Sequence, residues 1–98
     1  YVIIDYNKIQ SLDFVKNVLK IEPLSKKIKS FNCNVKSING HNVKKIFQSF
    51  KTKKNKKPNF IIANTIKGKG VDFMENTISW HYKAPNKIQL ELALKQLK

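Results

Sequence analysis

Asn59-Phe60-Ile61-Ile62-Ala63-Asn64 is a short run of four apolar residues between asparagines. Such a run reads as a buried strand, the kind parallel sheets use when helices cover both faces. Working outward from it, Tyr1–Asp5 is a second run of this type, rich in β-branched residues and ended at once by the polar turn Asp5-Tyr6-Asn7. Cys33, Val35 and Ile38 supply a third, shorter strand pattern over 33–38, closed by the turn pair Asn39-Gly40. Helical spacing fills the intervals. From Glu22, with Pro23 suited to a first helical position, Leu24, Ile28 and Phe31 share one face. Asn42 suits an N-cap for a helix whose Val43, Ile46, Phe47 and Phe50 repeat at i, i+3, i+4 and i+7. Asn86 with Gln89 resembles a capping box ahead of Leu90, Ala93, Leu94 and Leu97. Ser11–Lys20 reads as loop or short helix, Lys51–Pro58 as a solvated connection, and Thr65–Pro85 has few periodic signals.

Strand, helix, strand, helix, strand, helix is the alternation of an α/β fold made of parallel βαβ units. Ligands of such sheets bind just beyond the carboxyl ends of the strands. Two segments fall there, 5–10 after the first strand and 65–70 after the third, so Asn7 and Lys67 are expected at one edge of the sheet.

The chain of 98 residues makes one small domain at most, which excludes a self-contained multidomain enzyme. Its net charge of +14 and absence of Arg come from twenty lysines set against six acidic residues. Taken alone, that balance points to a polyanion partner. Yet Lys, Asn and Ile together fill 43 of the 98 positions, and without Arg the forked donor best suited to phosphate and guanine is missing. The lysine run at 51–57 also has no interleaved aromatic for base stacking, so compositional drift and a solvated loop are the expectation, and nucleic acid is not. Cys33 has no partner for an internal disulfide, which fits a reducing compartment. No apolar run approaches the ~18 residues of a membrane span, and the first residues lack the basic flank of a signal peptide. A chain that opens on Tyr1 reads as a piece of something longer.

The residues offer few sources of chemistry. Asn7 and Ile9 present an amide oxygen and a backbone carbonyl at a strand end, both hard donors of the kind magnesium takes. An asparagine in such a turn more often bonds its own backbone, and on these residues alone that reading leads. Lys67-Gly68-Lys69-Gly70 could form an N–H nest for phosphate or serve as a glycine-bearing connector, and the two readings are level. His81, between Trp80 and Tyr82 in a long irregular segment, is either a surface histidine or a proton-transferring one, and the length of the segment raises the odds of function. His41 is expected to serve the turn around it. Six acids, two His and one Cys yield neither a hydrolase triad nor a metal cluster.

In order along the chain, DYNKIQ (5–10), EPLSKKIKSF (22–31), INGHN (38–42), PNFIIANTIKGKGVDFMEN (58–76) and SWHYKAP (79–85) resemble transketolases, most closely the N-terminal section of the split bacterial form. The resemblance covers essentially the whole chain, and T-x-K-G-K-G, FMEN and WHY together are specific. It implies a single partial domain over 1–98, the carboxyl half of a thiamine-diphosphate-binding domain. The implied parent is a cytoplasmic transferase that moves two-carbon ketol units between sugar phosphates of the pentose phosphate type, using thiamine diphosphate and Mg²⁺ or another divalent ion. It further implies Asn7 and, through its backbone, Ile9 as metal ligands, His81 as a catalytic and diphosphate-side residue, and Lys67 and Gly68 near the cofactor channel. The implied partner is a pyrimidine-binding C-terminal section or subunit, in a homodimer or heterotetramer. The Gly-Asp-Gly half of the thiamine motif is missing, so the piece alone is expected to be inactive. Ser11-Leu12-Asp13 stands where close relatives usually have Ser-Phe-Gly, a departure at the turn beside the cofactor, and Phe31-Asn32-Cys33 replaces Phe-Gly-Trp. Related thiamine enzymes such as deoxyxylulose-phosphate synthase share parts of the pattern. The rival from another class is a small Lys-rich polyanion-binding module.

Overall fold

The computed structural model describes residues 1–51 and 55–97. Strands β1 (Val2–Tyr6), β2 (Asn34–Asn39) and β3 (Asn59–Asn64) form one parallel sheet in the order β1-β3-β2. Tyr6 of β1 and Asn39 of β2 both lie opposite Asn64, so the three strands end level and their exits open at a single edge. The expected α/β class and parallel pairing hold. Central β3 buries Ile61, Ile62 and Ala63, as its apolar run requires.

Among the described residues four helices accompany the sheet: α1 (Val15–Val18), α2 (Leu24–Ser30), α3 (Val43–Ser49) and α4 (Lys87–Gln96), with a 3-10 turn at Ile78–His81. Ile28 of α2 packs with Tyr6 and Ile62, and Ile4, Leu24, Val35 and Phe60 surround them, all from one face of the sheet. On the other face the Lys36 ammonium donates to the carbonyls of Ser49 at 3.0 Å and Lys51 at 2.7 Å. A lysine there satisfies orphan carbonyls at the C-terminus of α3 and complements its dipole.

Several local expectations are corrected. Pro23 is the residue before α2, whose first turn is held by the Glu22 carboxylate accepting the Leu24 N–H at 2.9 Å. Phe31 lies past the end of α2, where Asn32 turns the chain with φ 61°, and it is exposed rather than on the buried face. Cys33 precedes β2; Ser11–Lys20, expected as loop or short helix, does hold one helical turn. In α3 the inward face carries Ile46 and Ser49, while Val43 and Phe47 point outward, because Lys36 draws the Ser49–Lys51 end onto the sheet. β1 is an edge strand with Val2 and Ile3 exposed, not a buried one. The α4 cap matches its expectation: Asn86 Oδ1 accepts the Gln89 N–H and Gln89 Oε1 accepts the Asn86 N–H, but only Ala93 of its apolar residues is buried. Thr52, Lys53 and Lys54 of the expected solvated connection lie outside the described residues.

The molecule measures 51 × 31 × 14 Å with a radius of gyration of 16.3 Å. A compact domain of this length would have about 13 Å. Tyr1, Val2 and Ile3 at one edge and Ile88, Leu90, Leu92, Leu94 and Leu97 at α4 remain exposed. Among the described residues no helix is long and apolar enough to cross a membrane.

Candidate functional site at the carboxyl edge of the sheet

The level strand ends leave an open cleft of about 990 Å³. Asn7 and Lys8 line it from the β1 exit, Asn39 and His41 from the β2 exit, and Thr65 and Ile66 from the β3 exit. This is where open parallel sheets hold ligands. The sequence points to two segments at this edge; β2 also ends here, and its turn brings His41 in as a third wall.

Each exit is tied to its neighbours. The Thr65 hydroxyl hydrogen-bonds the Asp5 carboxylate, and the Thr65 N–H donates to the Tyr6 carbonyl at 3.3 Å. The Gly40 N–H donates to the Asn64 carbonyl at 2.8 Å. A Cβ on Gly40 would sit 2.5 Å from Thr65 Cγ2, so glycine is what lets the β2–α3 turn close on β3. In that turn Asn39 Oδ1 accepts the His41 N–H and Asn42 Oδ1 accepts the Lys45 N–H, which makes Asn42 the expected N-cap. His41 serves its turn and also reaches beyond it: Nε2 accepts the Ile66 N–H at 2.7 Å.

Asn7 Oδ1 accepts the Ile9 N–H at 2.9 Å, the local turn bond that a polar reading of Asn7 predicts. A carbonyl oxygen has two lone pairs, so one remains for a cation. Ile9 pairs with Phe14 in an isolated antiparallel bridge whose hydrogen bonds run from Gln10 N–H to Asp13 carbonyl and from Val15 N–H to Lys8 carbonyl. The Ile9 carbonyl stays outside that ladder. Asn7 Oδ1 and the Ile9 carbonyl are both hard oxygen donors of the type magnesium takes, and Asn7 lines the cleft while Ile9 does not. Among the described residues no cluster of three or more His, Cys, Asp or Glu could hold a metal unaided. Asp13, the departure in this turn, builds it: its carboxylate accepts Asn17 Nδ2 at 3.0 Å and the Phe14 N–H at 2.6 Å, which hold its pKa below the usual value.

The cleft also contains Tyr6 and Glu22. Burial, then the hydrogen bond and charge of Glu22, push the Tyr6 phenol from 10.0 to about 12. Between those values the unfolded chain loses a proton that the folded chain keeps, so this contribution is full below pH 10.0 and is lost as pH rises through about 12. Tyr6→Phe is accordingly expected to flatten the alkaline fall in stability of the full-length subunit, measured by urea unfolding at a series of pH values. An unchanged slope would contradict it.

Lys67, Gly68 and His81 do not line the cleft. The loop after β3 folds back: the Lys67 carbonyl accepts the Asn76 N–H at 3.0 Å, and Gly68, at φ +74°, packs against the backbone of Met74. The Glu75 carboxylate accepts the Gly70 N–H and Lys69 Nζ, each at 3.1 Å, and these hold its pKa below the usual value. The nest-like donors at 69–70 are therefore occupied by a carboxylate of the same loop. Trp80 Nε1 donates to the Phe73 carbonyl at 2.8 Å, which locks the WHY segment onto FMEN, while His81 is exposed and meets Tyr82 edge to face at 4.7 Å.

No protein-family model matches the chain. It is 38% identical over 98 residues to an apulose-4-phosphate transketolase polypeptide of Actinobacillus succinogenes, covering 99% of this chain and 36% of that protein. It is 39% identical over 79 residues to the 6-deoxy-6-sulfo-D-fructose transketolase subunit SqwG of a Clostridium species, covering 79% of this chain and 29% of the relative. Its homologues are transketolases. The human transketolase is 27% identical over 95 residues, which cover 97% of this chain and 15% of that protein. The chain thus spans about a third or less of the length of the transketolase subunits it matches.

Proposed function

We propose that the chain is the carboxyl half of the thiamine-diphosphate-binding domain of a split transketolase, and that the cleft at its sheet edge holds the metal and diphosphate end of the cofactor. The observation that carries this reading is the placement of Asn7, whose Oδ1 keeps a lone pair beyond its turn bond, on the wall of a cleft where three parallel strands end. Asn7 and Ile9 would supply two ligands to Mg²⁺, and the remaining oxygens would come from the diphosphate, water and the Gly-Asp-Gly half of the motif. Thiamine diphosphate supplies the carbanion chemistry that moves a two-carbon unit. The protein's part is to bind, orient and exclude water. Lys67 and Gly68 shape the loop behind the β3 exit, and His81 would hold or move a proton on the substrate side once the partner encloses it. Relatives designated as subunits support a partner subunit; we read that partner as a pyrimidine-binding section, in a homodimer or heterotetramer acting in the cytoplasm on sugar phosphates. The piece alone lacks half of the motif and would be inactive.

The test mixes the full-length protein, its partner subunit, thiamine diphosphate, Mg²⁺ and a ketose-phosphate donor with an acceptor aldose. Ketol transfer that requires all components is expected, with no loss when random duplex DNA is added at ~0.15 M salt, where non-specific binding is ~10⁻⁴ to 10⁻⁶ M. Duplex binding far tighter than that, without ketol transfer, would favour the polyanion-binding reading.

A further inference from the structure

His41 stands out because nothing about a turn requires its ring to leave it. The turn is complete without the imidazole: Asn39 Oδ1 receives the His41 N–H, Gly40 closes on Asn64, and Asn42 caps α3. Yet the ring crosses to the β3 exit and accepts the Ile66 N–H through Nε2 at 2.7 Å. The Ile66 N–H lies one residue beyond the last sheet-type contact, the Thr65 N–H on the Tyr6 carbonyl. A backbone donor at a ligand cleft either finds such an acceptor or turns to water. The ring serves here as a hydrogen-bond acceptor through Nε2.

We propose that His41 is a positioning residue of the cleft: its imidazole pins the Thr65–Ile66 wall at the distance from Asn7 that the diphosphate and its metal need. The inference rests on the cofactor reading above. His41 acts on the ligand only through the backbone of Ile66. Two walls of the cleft are thereby made rigid by different means. The β1 and β3 exits share direct bonds through Thr65, whereas the β2 exit is joined to the post-β3 loop by this side chain.

The experiment compares His41→Gln, whose side-chain oxygen can still accept the Ile66 N–H, with His41→Leu, which fills similar space and cannot, both in the full-length subunit with its partner. Amide hydrogen exchange of a peptide spanning Ile66, without cofactor, is read first. Protection at Ile66 should persist in His41→Gln and fall by about tenfold in His41→Leu, the size expected for one lost hydrogen bond. Thiamine-diphosphate affinity, read by titration, should then fall by a similar factor in His41→Leu and be largely restored in His41→Gln. Equal protection at Ile66 in the two variants overturns the anchoring role. A loss of protection with unchanged cofactor affinity overturns the link to the site. If the parent itself failed to bind thiamine diphosphate, the cofactor reading would fall while the exchange comparison still decided whether His41 holds the loop.

Discussion

Asn7→Ala in the full-length subunit with its partner is expected to weaken thiamine-diphosphate binding by at least about tenfold at limiting Mg²⁺, with excess Mg²⁺ partly restoring it. The substitution deletes one oxygen of a hard-cation site and leaves the cation under-coordinated, so metal and cofactor loosen together. It also deletes the bond from the Ile9 N–H to Asn7 Oδ1, which would disturb the turn and with it the Ile9 carbonyl. Asn7→Asp separates the two effects, since a carboxylate keeps both the turn acceptor and a metal oxygen and should retain more affinity than alanine does. His81→Ala leaves both ligands in place, so its effect should fall on turnover with a smaller change in affinity. Lys56→Ala, in the basic connection, should change neither. The measurement is cofactor titration against initial ketol-transfer rate at several Mg²⁺ concentrations. An Asn7→Ala variant that titrated like the parent at limiting Mg²⁺ would end the metal-ligand assignment.

Gly68→Ala should have the largest effect on stability. At φ +74° a side chain is strained, and a Cβ would lie 2.6 Å from the Met74 carbonyl oxygen and 2.7 Å from its carbon. Backbone atoms do not yield as the tip of a flexible side chain does. Left-handed strain of about 1–2 kcal/mol and overpacking of about 1–3 kcal/mol give a loss of roughly 2–5 kcal/mol. Gly70→Ala, also at positive φ but with only Leu97 Cδ2 nearby at 3.0 Å, should lose less. Lys69→Ala removes a mostly exposed ion pair and should stay within about 1 kcal/mol. Urea unfolding of the three variants gives the order, and a Gly68→Ala loss no larger than that of Lys69→Ala would show that the loop does not need its close approach to Met74.

The strands are legible in the sequence because β-branched runs bounded by polar residues admit few other readings, and parallel pairing follows from the helices between them. The faces of the helices are not. In α3 the apolar spacing marks Val43, Ile46, Phe47 and Phe50 as one inward face; Ile46 does meet the sheet, but the other three point outward and Ser49 packs in, with Lys36 drawing in the far end. A pattern of hydrophobicity assumes that the whole complement of neighbours is present. Here α4 and the β1 edge expose residues that periodicity places inside, as expected of a layer that another layer would cover. At the site, the residues alone favour a local turn bond for Asn7, which the hydrogen-bond geometry bears out, and only the resemblance points to Asn7 and Ile9 as ligands; of the two, Asn7 lines the cleft. The sequence assigns His41 to its turn alone, because a histidine beside a turn glycine has no spacing signal that announces a bond to the exit of a strand two elements later. The available clue is that β2 must end at the same edge as its two neighbours.

The strand order also dictates when the sheet can exist. Among the described residues β1 pairs with β3, Val2 meeting Phe60 across 58 steps of chain, while β2 lies on the far side of β3. During synthesis at about 5–20 residues per second, β1 therefore waits roughly 3–12 seconds after it is made before its partner in this sheet is translated. For that interval the nascent chain carries Val2, Ile3 and Ile4 without their β3 neighbour, an apolar edge that chaperones would have reason to cover. The central position of the last strand makes the emergence of 59–64 the moment at which the sheet closes, and slow codons placed before it would lengthen the exposure.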